Sequence, residues 1–178
     1  MEIFNSRPEN EEGRLAKEIR SYDFLDSIGV KYTRVDHEAA MSMEACREVD
    51  EVLGTTICKN LFLCNRQKTE FYLLMMPGSK SFKTSIVSSQ IGSSRLSFAS
   101  PEDLEKMLDL TPGSVSILGL VYDKENKVKL LVDKDVLSGS YVGCHPCINT
   151  TSLRIKTKDL RDKIIPALGN SMQTVILP

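Results

Sequence analysis

Apolar and polar positions alternate along the chain in patterns that predict interleaved helices and strands. Residues 11–28 carry apolar side chains at spacings of three and four, the stripe of an amphipathic helix, and Gly29 ends it. The segment "VKYTRV" at 30–35 predicts a short strand. A second helix is predicted for 42–54, with Ser42 as its N-cap.

Two long apolar runs give the strongest core signal. The segments at 56–65 and 70–76 are strand-like and are separated by the polar "RQKT", which predicts a hairpin buried on at least one face. Near the C-terminus, Pro166 must kink or end a further predicted helix. The remaining predicted helices lie at 81–92, 100–109 and 157–169, and the remaining predicted strands lie at 95–99, 127–133, 141–144, 151–155, 174–178 and in the later part of 111–121.

The order of these elements indicates the fold class. Strands outnumber helices, and helices fall between strands at irregular intervals, which favours an α+β domain around a mixed sheet. At 178 residues and 41% hydrophobic, the chain suits one globular domain spanning 1–178. No apolar run approaches the roughly 18 residues of a membrane span, and the N-terminus lacks a signal-peptide pattern. We therefore expect a cytoplasmic protein.

Charge is unevenly distributed along the chain. Residues 1–52 carry 13 acidic and 7 basic side chains, whereas residues 53–178 carry 11 acidic and 16 basic ones. The second part suits either a weak, salt-sensitive contact with a polyanion or an ordinary solvated surface. The sequence has no glycine-rich nucleotide-binding motif, so we expect no nucleotide cofactor.

The motif Cys144-His-Pro-Cys147 admits three interpretations: a redox centre, a metal site, or a loop in which the histidine matters. A redox pair needs a helix after its first cysteine, but the following "INTTSLRI" is β-branched and turn-prone. A zinc site needs about four ligands, and the other cysteines form no second pair. The loop interpretation is favoured, since polar groups around His145 suit an imidazole held beside a ligand.

Other segments of the chain also contain candidate functional residues. Lys59 interrupts the apolar run "ICKNLFL", so either Lys59 or Asn60 faces the interior or a cleft, unless Lys59 is an ordinary edge-strand lysine facing solvent. His37 fits a structural role better than a catalytic one. In the loop "TPGSVSILG", Gly113 frees the backbone to approach a substrate, with amides available as donors.

Four segments carry a family resemblance. They are "KNLFL" at 59–63, "LSFAS" at 96–100, "TPGSVS" at 111–116 and "HPCINTTS" at 145–152. Together, in order and spacing, they resemble the free-standing prolyl-tRNA editing proteins of the YbaK/ProX family. The similarity extends from about His37 to the C-terminus.

The resemblance implies a YbaK-like fold, with a mixed, strongly curved sheet and flanking helices. It also implies hydrolysis of the ester that joins a wrong amino acid to tRNA, with alanine on proline tRNA as the expected substrate. The implied partner is the 3′ aminoacyl end of tRNA, whose 2′-hydroxyl would activate water without metal or cofactor. Prolyl-tRNA synthetase is a further candidate partner, and the resemblance leaves open whether the chain is a monomer or a homodimer.

By motif matching, Lys59, Asn60 and His145 take the catalytic positions. Lys59 would hold the 3′ end or a substrate oxygen, Asn60 the carbonyl, and His145 the adenosine or the water. Ile117 stands where the family pattern often has proline, which changes the expected aminoacyl pocket and keeps open a binding module without hydrolysis. The implied substrate-binding positions are Gly113, Ser114, Ser116, Ile117, Gly143 and Asn149.

Overall fold

The strands and helices follow the predicted order closely. The computed structural model describes residues 1–39 and 42–178, except for the side chain of Met43. The strands are β1 Ile3–Phe4, β2 Tyr32–Asp36, β3 Lys59–Cys64, β4 Phe71–Met76, β5 Ser97–Phe98, β6 Val128–Asp133, β7 Tyr141–Cys144, β8 Thr151–Lys156 and β9 Met172–Val175. The helices are α1 Ala16–Ser27, α2 Met43–Leu53, α3 Thr84–Ile91, α4 Pro101–Leu108, α5 Thr157–Asp159 and α6 Ile165–Leu168.

The strands form two sheets. One is antiparallel, in the order β1-β2-β8-β7, and the other is mixed, in the order β5-β3-β4-β6-β9. In the mixed sheet β6 runs parallel to β4 and to β9, while β3 pairs antiparallel with β4 as the predicted hairpin. The α+β class with flanking helices is therefore confirmed, with the strands divided between two sheets.

The mixed sheet is buried on both faces. Along β4, Leu73 and Met75 belong to the larger apolar core, whereas Leu74 and Met76 belong to a second core that α3 covers with Val87. Because successive side chains of a strand point to opposite faces, a strand covered on both sides needs a continuous apolar run. This explains why "FYLLMM" shows no polar alternation.

A close approach at Gly143 joins the two sheets. Ile57 forms an isolated parallel bridge with Gly143, and the amide of Cys58 donates to the Gly143 carbonyl at 2.9 Å. A β-carbon on Gly143 would lie 2.8 Å from the Ile57 side chain and 2.9 Å from the Thr56 carbonyl. Only a residue without a side chain permits this contact.

Three of the sequence predictions differ from the structure. The helix predicted over 11–28 begins only at Ala16. The apolar run predicted as a strand within 111–121 forms a 3₁₀ helix at Ile117–Tyr122, where the Ser116 hydroxyl caps the amide of Leu118. Short buried apolar runs have no period that separates strand from helix, which explains the error. The C-terminal strand lies at 172–175, earlier than the predicted 174–178.

The last helix passes through Pro166 instead of ending there. A π-helical turn at Leu160–Ile164 separates α5 from α6. Proline has no amide hydrogen and its ring crowds the preceding turn, and a widened turn accommodates both. Within residues 1–39 and 42–178, every helix is too short or too polar to cross a bilayer.

We expect Gly143→Ala to destabilise the protein by about 1–3 kcal/mol, because the added methyl group must push Ile57 and the Thr56 carbonyl away. Chemical denaturation measures the change. Gly139→Ala is the matched control, since its added carbon would meet nothing closer than 3.8 Å. Equal stabilities of the two variants would contradict the steric role of Gly143.

Candidate functional site

The sheet junction brings Lys59 and His145 to the same region. Each lies two residues beyond the bridged pair of Ile57 and Gly143. Because the bridge is parallel, the two chain segments leave it in the same direction. Lys59 opens β3, and His145 follows the last residue of β7.

The two neighbouring side chains of β3 have different surroundings. Lys59 is exposed, and its ammonium donates to the Lys80 carbonyl at 2.8 Å. The Asn60 side-chain amide donates to the Cys58 carbonyl at 3.3 Å, while its oxygen is buried without a hydrogen-bond partner in the described part of the chain. A buried acceptor left unpaired lowers the free energy of unfolding by about 1–3 kcal/mol. The presence of Asn60 at this position therefore needs an explanation other than stability.

The His145 ring is held in one tautomer. Its Nδ1 lies 2.9 Å from the Thr151 carbonyl, which only accepts hydrogen bonds, so Nδ1 carries the hydrogen. In the neutral ring Nε2 is then an acceptor. Burial lowers the pKa of His145 below its ordinary value of 6.5, the bond to Thr151 opposes this shift, and nearby His37 lowers the pKa further.

A second histidine, which the sequence analysis assigned to a structural role, lies beside the first. The ring centres of His37 and His145 are 6.4 Å apart. His37 Nδ1 donates to the Glu38 carbonyl at 2.7 Å, which leaves Nε2 to accept from the Ser152 hydroxyl at 2.8 Å. Ser152 is also 3.5 Å from His145 Nδ1. No local sequence signal links these residues, since 115 positions separate His37 from Ser152.

Asp36 holds this group from the end of β2. Its carboxylate accepts hydrogen bonds from Arg14, Arg34 and the Thr151 hydroxyl, the last at 2.8 Å. Burial alone would raise the pKa of Asp36, but these three donors outweigh it and hold the pKa at about 2. The backbone of His37 also donates to the Thr150 carbonyl at 2.9 Å. The segment that orients His145 is thereby fixed to β2.

The Gly113 loop contributes backbone rather than side chains. Gly113 is exposed and has φ +89°, a conformation that other residues adopt only with strain. Beyond it Ser116 is buried and bonded to Leu118, and Ile117 is 1% exposed within the larger core. Neither Ser116 nor Ile117 therefore presents its side chain to solvent.

A cleft of about 430 Å³ separates the start of α1 from two of the predicted loops. Ser114 and Asn149 are the sequence-predicted site residues on its walls. Lys59, Asn60 and His145 do not line it and lie at the sheet junction with Gly143, whereas Ser116 and Ile117 are buried in the core. The lining residues are Gly13, Arg14, Leu15, Lys17, Glu18, Thr111, Ser114, Ile148, Asn149 and Thr150.

The cysteines of the Cys144–Cys147 motif are free and buried. Burial raises the pKa of both thiols, to about 11 for Cys147, so both remain protonated at neutral pH. This opposes the redox interpretation. Within residues 1–39 and 42–178, the structure brings together no group of three metal-ligating side chains.

Comparison with known proteins assigns the family. Residues 37–163 match the family model described as the aminoacyl-tRNA editing domain. The chain belongs to this family. The matched range of the editing domain includes Lys59, Asn60, Gly113 and His145.

Individual relatives agree with this assignment. The chain is 32% identical over 153 residues to the prolyl-tRNA editing protein ProX of Acetoanaerobium sticklandii, covering 86% of this chain and 93% of that protein. It is 26% identical to prolyl-tRNA synthetase associated domain-containing protein 1 of Danio rerio, covering 82% and 79% of the two chains. The fold matches the crystal structure of a proposed trans-editing enzyme for prolyl tRNA synthetase, with a TM-score of 0.69, 18% identity, and 92% and 99% coverage.

The depressed pKa of His145 predicts a pH effect on the stability of the editing domain. The folded state resists protonation of His145. The neutral ring therefore makes its full contribution to the free energy of unfolding above about pH 6.5, and this contribution is lost as the pH falls. Between about pH 7 and about pH 5, we expect His145→Gln to lose less thermal stability than the wild type. Thermal unfolding across this range measures the difference, and parallel loss in both proteins would contradict it.

Proposed function

We propose that the protein is a trans-editing deacylase that hydrolyses alanine mischarged on proline tRNA. The observation that carries the proposal is the parallel bridge that directs Lys59 and His145 into one region within the matched editing domain. The relative from Acetoanaerobium sticklandii, a prolyl-tRNA editing protein, supports the prolyl system. The proposal treats residues 1–178 as one editing domain that acts in the cytoplasm.

The reaction requires few catalytic groups. An aminoacyl ester is already activated, so catalysis needs a positioned water, donors for the developing oxyanion, and contacts that hold the terminal adenosine. The exposed ammonium of Lys59 supplies the positive charge for the tRNA end or a substrate oxygen. The Asn60 side-chain amide, which uses one hydrogen on the Cys58 carbonyl, supplies its second hydrogen to the ester carbonyl.

His145 suits an accepting role in this reaction. Its Nδ1 hydrogen is used on the Thr151 carbonyl, so Nε2 of the neutral ring accepts from a hydroxyl or a water. The lowered pKa keeps the ring neutral at physiological pH. A terminal 2′-hydroxyl bound to Nε2 would be oriented to activate the attacking water.

A tRNA-binding or synthetase-binding module without deacylase activity is the second candidate. One observation favours it: Lys59, Asn60 and His145 do not line the 430 Å³ cleft that Ser114 and Asn149 line. Under this alternative the cleft and the sheet junction bind RNA or a partner, and no ester is cleaved.

We expect the wild type to hydrolyse alanyl ester on proline tRNA and to spare the prolyl ester. Lys59→Ala and His145→Ala should each lower the rate by about 10²-fold or more, because each removes a group that contacts the reacting end. A panel of proline tRNAs charged with alanine, serine, cysteine or proline measures this directly. Lys106→Ala, at an exposed lysine of α4, is the matched control. If every ester survives while tRNA binds, the module interpretation replaces the enzyme.

Ile117→Pro tests how the amino acid is selected. The substitution suits the backbone, because residue 117 opens a 3₁₀ helix and Ser116 before it is extended at φ −149° and ψ 149°. We expect a folded protein in which the relative rates on alanyl and seryl esters change, since the wall behind the Gly113 loop is altered. An unchanged ratio would remove residue 117 from substrate selection.

A further inference from the structure

A second cleft, of about 240 Å³, lies on the antiparallel sheet away from Lys59 and His145. Three of its seven lining residues are cationic, two are tyrosines and none is acidic. The lining residues are Asn5, Lys31, Tyr32, Thr33, Tyr141, Arg154 and Lys156.

The three positive charges of this basic cleft have no counter-charge. Lys31, Arg154 and Lys156 form no ion pair with any residue of the described ranges. Arg154 is held by neutral groups instead: it donates to the Leu53 carbonyl at 3.1 Å and lies 4.6 Å over the Tyr141 ring. Its charge is therefore fixed in position and remains available to an anion.

The basic cleft lies on the same side of the sheet as the histidines. Ser152, Arg154 and Lys156 alternate along β8, so their side chains share one face. Ser152 contacts His37 and lies near His145 at one end of this row, while Lys156 pairs with Tyr141 at the other end. His145 follows Tyr141 by four residue steps, a span of about 13 Å at about 3.3 Å per residue.

We propose that the basic cleft binds the phosphodiester backbone of the tRNA acceptor stem. The proposal rests on the proposed function, since it assumes that the 3′ end reaches His145. Phosphates match the three unpaired cations, the guanidinium suits bidentate contact with phosphate oxygens, and the half-exposed Tyr141 suits a sugar or base. A stem that crosses the cleft would place its single-stranded 3′ end close enough to reach His145.

The test measures binding of uncharged proline tRNA to Lys31→Gln/Lys156→Gln. Both lysines are exposed, so the variant should keep its fold. Log affinity falls with log salt, and each lost phosphate contact makes this negative slope shallower by about 0.7–0.9. We expect a slope shallower by about 1.4–1.8 and an affinity about tenfold weaker at low salt. Lys106→Gln/Lys124→Gln, two exposed lysines outside the cleft, is the charge-matched control and should bind like the wild type.

The outcomes separate this proposal from the proposed function. Binding of uncharged tRNA requires no hydrolysis. If the wild type cleaves no ester but the Lys31→Gln/Lys156→Gln variant still binds tRNA more weakly, the deacylase proposal is overturned and the cleft proposal is supported. Wild-type affinity and slope in the Lys31→Gln/Lys156→Gln variant would overturn the cleft proposal even if deacylation is confirmed. An equal loss in both double variants would overturn it as well, because it would show a general effect of charge.

Discussion

The close contact between Gly143 and Ile57 is the constraint on which the rest of the site depends. It is the point where the antiparallel sheet meets the mixed sheet, through a parallel bridge and one hydrogen bond of 2.9 Å. Lys59 begins β3 two residues after this contact, and His145 directly follows β7. A side chain at position 143 would therefore push apart the two sheets and with them Lys59 and His145.

Electrostatics fix the second half of the site. Asp36 accepts from two arginines and from Thr151, and the carbonyl of Thr151 in turn accepts from His145. The ring of His145 thus takes its orientation from a carboxylate on β2, more than 100 residues earlier in the sequence. The arginines keep Asp36 ionised, so this arrangement persists across the neutral pH range.

Local signals predicted most of the fold, and distant contacts account for what they missed. Ser42 caps α2 as predicted, and Ser100 caps α4 in the same way, because a capping hydroxyl acts on an amide only three residues away. The junction of the two sheets depends on the contact between Gly143 and Ile57, and the histidine pair depends on the contact between Ser152 and His37. The hydrophobic periodicity of the sequence does not predict such long-range contacts. Motif resemblance could name Lys59 and His145, but it could not show that Ser114 and Asn149 line a separate cleft.

The resting position of Lys59 shows how the site keeps its charge available. The Lys80 backbone carbonyl accepts from Lys59, while the Lys80 ammonium binds the buried Asp133 at 3.0 Å and Asp135 at 2.8 Å. The charge of Lys80 is therefore paired with these two carboxylates, and Lys59 contacts only the neutral carbonyl oxygen of Lys80. A phosphate or a developing oxyanion attracts an ammonium through a Coulomb interaction that a neutral carbonyl lacks. Under the proposed function, an anionic substrate oxygen would compete favourably for Lys59, and because the side chain is exposed, the exchange would require no buried charge to move.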